Sequence, residues 1–184
     1  MSALSILYLA LPFPLAFILH DAEEAIVQHR WILSHRHIFE DKYPRLKPLF
    51  KYLSSLDTQS FVIAAMEEFV ILILCTCYVF IQGNYCMEIW SALFIAFSFH
   101  QLVHIIQAII LQSYVPGLIT SVLLLPYAYL GMQSIWYAMS GVELLLWGVA
   151  GIIFMAMNLI FAHWIGKICH TTHTRLEHQY ASEE

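Results

Sequence analysis

Read only for apolar and polar positions, the chain divides into long apolar runs separated by short polar breaks. Five stretches, 3–29, 60–82, 87–112, 115–138 and 142–166, each approach the roughly twenty residues that cross about 30 Å of hydrocarbon. They predict an all-α, polytopic membrane helix bundle with about five transmembrane helices, forming a single integral membrane domain over residues 1–184. A basic interfacial connection, 30–58, follows the first stretch, and a polar tail, 167–184, follows the last. Pro116 falls in a first helical turn, where a missing N–H costs little, whereas Pro126, deeper in the fourth stretch, predicts a kink.

Composition removes other classes. With 60% apolar and 11% charged residues, and a mean hydropathy of +0.71, the chain lies far from a soluble domain. Its net charge of -5 does not imply an acidic surface, because several carboxylates lie inside apolar runs. No basic stripe supports nucleic-acid binding. Four cysteines without a CxxC pair read as packing residues.

Charge also orients the chain. Arg30, Arg36, Lys42, Arg45, Lys47 and Lys51 lie in the first connection, and Lys167 and Arg175 follow the last stretch. Five crossings put these regions on one side, which the positive-inside rule makes cytoplasmic, with the amino terminus outside. The expected setting is a plasma membrane, specifically a bacterial inner membrane. Tyr43, Leu46, Phe50 and Leu53 recur at helical spacing among the cations, which fits either a helix on the anionic inner leaflet or a solvated basic loop.

The polar residues inside the apolar runs carry the functional signal. After the pair Glu67-Glu68 only about thirteen apolar residues remain, covering roughly 20 Å, so the acids must sit within their span. His100 and His104 are enclosed likewise. The stretch HDAEE, residues 20–24, admits two placements: within the membrane, or in water just past a short first span. Depth favours the first. Counting from the cytoplasmic ends, His20, Glu23, Glu24, Glu67, His104, Asn158 and His163 fall at similar depths, most of them roughly 8–15 Å down at 1.5 Å per residue. Each charge there costs on the order of 3 kcal/mol, so partners are required.

Spacing of three or four places His20 beside Glu23 and Glu24, and His100 beside His104. Histidine pairs with carboxylates from neighbouring helices are a ligand set for a divalent metal, so His20, Glu23, Glu24, Glu67, His100 and His104 are the expected ligands for one or two ions of Zn, Fe or Mn. A self-neutralising histidine and carboxylate network that carries protons is the alternative. His35, His37, His170, His173 and His178 fall in the polar connection or tail and read as solvated.

His20-Asp-Ala-Glu23-Glu24, a later acid pair, HQLVH, and Tyr114-Val-Pro116-Gly117-Leu-Ile-Thr120, in that order, resemble the HXXEE-domain membrane proteins over most of the chain up to about Pro126. The resemblance implies a small multispanning protein and a metal-dependent membrane enzyme, without naming a reaction. His100 departs from it, standing where the family pattern has Asn, which leaves His104 as the better match and His100 as an added ligand or a supporting residue.

Chemistry follows from the parts. A metal with an open position lowers the pKa of bound water to about 7, and a spare carboxylate, Glu24 or Glu68, serves as general base. Ser113 and Thr120, near a helix amino end, together with Asn158 and His163, are the expected substrate contacts. The favoured reading is hydrolysis of a lipid or lipophilic small molecule from the cytoplasmic leaflet. A diiron-type oxidation of a lipid chain and a cation or proton transporter are the alternatives.

Overall fold

A computed structural model describes residues 8–183. Residues 3–7 of the first expected span, and the side chains of Leu46, Phe50, His170, His173, Arg175 and His178, lie outside the described part. The chain is all helical: α1 (Phe13–Lys42), a 3-10 turn (Pro44–Leu46), α2 (Lys47–Leu53), α3 (Thr58–Phe80), α4 (Cys86–Leu111), α5 (Leu118–Leu123), α6 (Leu125–Ala138) and α7 (Gly141–Glu183).

Helix ends follow local chemistry. Pro14 sits in the first turn of α1, where no intrahelical donor is lost, and the helix stops at Tyr43 because the residue before Pro44 is pushed out of helical geometry. Asp57 Oδ1 accepts the Ser60 amide at 2.7 Å and so caps α3. Ser140 and Glu143 cap α7 reciprocally: the Ser140 amide and hydroxyl both donate to Glu143 Oε2 at 2.8 Å.

The helices differ in extent from the spans expected. Instead of ending at His29, α1 runs unbroken for 30 residues into the basic connection, since neither Gly nor Pro interrupts it between Pro14 and Pro44. The connection 30–58 is thus largely helical, and so is the tail, which continues α7 to Glu183. The kink expected at Pro126 is a full break: α5 ends after six residues and α6 begins at Leu125 with the proline in its first turn. Three helices among the described residues are long and apolar enough to cross a membrane: Thr58–Phe80, Cys86–Leu111 and Gly141–Cys169. The first and fourth expected spans are not of this kind, because α1 carries many charges and the fourth stretch is divided.

Small residues let the long helices close up. A side-chain carbon on Gly151 would strike the Ala92 carbonyl of α4, and one on Gly166 would strike the Ser60 carbonyl of α3, so both partners pack backbone to backbone on α7. At the other side Phe13 of α1 meets Phe94 and Phe97 of α4 with ring centroids 5.2 and 5.4 Å apart, while Trp90 is fully buried beside them. Outward faces stay apolar, with Ile26, Ile81 and Ile160 all more than 70% exposed. A bundle with so apolar an exterior belongs in lipid. Lys167 of α7 reaches Ser55 Oγ at 3.2 Å and lies over the Tyr52 ring, which puts the basic connection beside the end of α7's apolar stretch, as the charge pattern required.

Candidate metal centre

The HDAEE turn of α1 faces inward. His20 is wholly buried and Glu24 is 8% exposed, which excludes a water-bathed placement. His100 and His104, one turn apart on α4, meet them. The ligating atoms of His20, Glu24, His100 and His104 all lie within 4.8 Å of one another. His104 Nε2 is 3.1 Å from Glu24 Oε1 and 3.0 Å from His100 Nε2, and Glu24 Oε2 is 4.0 Å from His100 Nε2.

These separations fit a metal ion. Neighbouring donors at about 2.0–2.1 Å from a shared ion stand about 2.8–3.4 Å apart, from octahedral to tetrahedral geometry. Nitrogen lone pairs and a carboxylate aimed at one point also need a proton or a cation among them. His20 strengthens the fit. The Thr120 hydroxyl donates to Glu23 Oε2 at 2.6 Å, so it accepts from His20 Nδ1–H at 3.0 Å. That fixes the tautomer and leaves Nε2 with its lone pair, buried and without a hydrogen-bond partner. His104 Nδ1 is also buried without a partner, so that ring is held by packing.

The loop after α4 completes the cage. Gly117 has φ +79°, a left-handed conformation suited to glycine, and a side-chain carbon there would lie 2.9 Å from His20 Cε1 and 3.2 Å from both Glu24 Oε1 and His104 Cε1. Glu23 holds this loop on α1: Oε1 accepts the Tyr114 hydroxyl at 2.8 Å and the Ile119 amide at 3.1 Å, and Oε2 accepts the Thr120 amide at 2.7 Å. Burial and the Glu23 carboxylate push the Tyr114 hydroxyl above the ordinary tyrosine range. Trp31 Nε1 adds a donor to the Tyr114 carbonyl at 2.8 Å.

The family model described as "Protein of unknown function with HXXEE motif" matches residues 11–131. The chain belongs to the HXXEE family. No curated protein and no solved structure matches it. In this HXXEE protein the motif has a division of labour. Its His and second Glu face the cluster, while its first Glu ties down the loop that carries Gly117 and Thr120.

Other expected site residues fall outside the cluster. Glu23 lies outside the cluster because both its oxygens are committed to the loop. Glu67, also expected as a ligand, turns to α7 and accepts from Asn158 Nδ2 at 3.1 Å. Glu68, Asn158 and His163 line a cavity of about 90 Å³ that Glu24 and His100 also border, with Phe17, Phe61, Ala64, Phe97 and Met155 among its apolar walls. Thr120 acts through His20, and the amides at the start of α5, expected to hold a substrate headgroup, hold the chain's own Glu23 instead. Ser113 is exposed at the end of α4, with no contact to the cluster. His35, expected to be solvated, is half-buried against Trp31, with ring centroids 4.6 Å apart.

Asp21 and Gly117 stand in the sequence motifs without an expected role in the site. Asp21 lines the cavity on the Glu24 side. Its spacing of three from Glu24 was the available signal.

Proposed function

We propose that this HXXEE protein is a membrane-embedded, metal-dependent hydrolase of a lipophilic substrate. His20, Glu24, His100 and His104 hold one divalent ion of Zn, Fe or Mn. One observation carries the reading: Glu24 and His100 border both the cluster and an apolar cavity, and Glu68 in that cavity has a buried carboxylate oxygen with no partner. A structural metal would need neither the cavity nor the idle acid.

When bound, the ion supplies Lewis-acid polarisation of a substrate oxygen and a water acidic enough to attack it. The chain supplies the rest. Phe17, Phe61 and Phe97 receive the apolar portion and exclude bulk water, and Glu68 takes the proton from the attacking water and returns it to the leaving oxygen. Glu24, as a ligand, is not the base. A diiron reading would need a second ligand group. Among the described residues one group brings three or more such side chains together.

The basic connection and the end of α7 lie on the cytoplasmic side in this reading, so substrate enters from the inner leaflet. The test is hydrolysis of p-nitrophenyl decanoate by the full chain in detergent micelles, before and after chelator treatment and on return of each metal. Expected is ester cleavage lost with the metal and restored by one of the three ions. Cleavage that is absent throughout, or that survives stripping, overturns the reading.

A further inference from the structure

The hydrolase reading does not say what kind of headgroup reaches the cavity, but its polar groups restrict the choice. His163 is 8% exposed and donates Nδ1–H to the Leu159 carbonyl at 2.7 Å, since a carbonyl can only accept. Its Nε2 therefore carries a lone pair. The carboxyls of Asp21 and Glu68 line the same cavity, and Glu68 Oε1 is buried without a partner. Asn158 spends an amide hydrogen on Glu67. Among the described residues no Lys or Arg lines the cavity.

Away from the proposed ion, an anionic headgroup would therefore meet two carboxyls and a nitrogen lone pair, with no Lys or Arg among the described lining residues to receive it. An alcohol could supply one donor and no charge. An ammonium offers up to three N–H donors and a positive charge, and its surroundings include the rings of Phe17, Phe61 and Phe97, whose faces attract cations. We propose that the cavity's ligand is an amphiphile with an apolar chain and a protonated amine as its polar end. This names a substrate class for the hydrolase reading and rests on it for the chemistry, though not for the binding.

The experiment is equilibrium binding of radiolabelled tetradecylamine, tetradecanol and tetradecanoate to the full chain in phosphatidylcholine nanodiscs, with partition into empty discs subtracted. Saturable amine binding about tenfold tighter than either other probe is expected, as charge-assisted hydrogen bonds in a dry site require. Affinity for the amine should fall about tenfold in both Glu68→Gln and His163→Phe, with metal content unchanged. Tetradecanoate binding as tightly as the amine, or amine affinity intact in both variants, overturns the proposal; should the variants misfold, the wild-type comparison of probes decides. Saturable amine binding by a protein with no metal leaves this assignment standing and removes the hydrolase reading. Metal-dependent ester cleavage with a preference for tetradecanoate does the reverse.

Discussion

On the α1–α4 side of the cavity, the metal-facing groups are held from several directions: Thr120 orients His20, Glu24 and His100 flank His104, and Gly117 closes the cage where any side chain would intrude. On the α3–α7 side, Glu68 Oε1 has no partner, and His163 is tied by one nitrogen only. Buried polar atoms without partners are costly, and in the proposed reading the lone pairs of the first wall converge on an ion that stays while those of the second await an occupant that comes and goes. Fixed ligands on one side and idle acceptors on the other are what the proposed catalytic role requires of the two walls.

Substitutions on the two walls should separate accordingly. The largest effect is expected for His104→Ala, which removes a donor that approaches both Glu24 and His100. Bound metal, measured by elemental analysis, should drop from near one ion per chain to background, and retention of the ion would make the two walls equivalent. On the other wall, Glu68→Gln should keep its metal while ester turnover falls about 10²–10⁴-fold, the usual share of a general base. Loss of metal in that variant would move Glu68 into the ligand set. A smaller effect is expected for Thr120→Val, which frees the His20 ring: affinity for the ion, read by competition with a chelator, should weaken about 10–100-fold, and Thr120→Ser should restore it. Failure of Ser to rescue would mean that Thr120 acts by packing rather than through its hydroxyl.

The sequence carried much of the site and less of the helix boundaries. Spacings of three and four placed His20 beside Glu24 and His100 beside His104, and the shared depth of the polar residues brought α1 and α4 together at one cluster. It could not tell Glu23 from Glu24. Both lie within reach of His20 along the helix, and only the position of the YVPGLIT loop shows that Glu23 is consumed by the Ile119 and Thr120 amides. Glu67 accepts from Asn158, on a helix distant in sequence, a contact that spacing along its own helix could not indicate. The extent of α1 was hidden because charge density marks a membrane boundary, not a helix end; Arg30 and Arg36 are good helix formers, and the helix passes through them to Lys42. The split between α5 and α6, by contrast, was announced by Pro126, though as a bend rather than a break.

The central claim is that His20, Glu24, His100 and His104 jointly hold one divalent ion. X-ray absorption at the metal edge, on full-length protein purified without chelator, tests it directly. The account predicts one ion per chain with three imidazole nitrogens and at least one carboxylate oxygen at about 2.0–2.2 Å. No bound ion, or an ion with fewer than two imidazole neighbours, would contradict it.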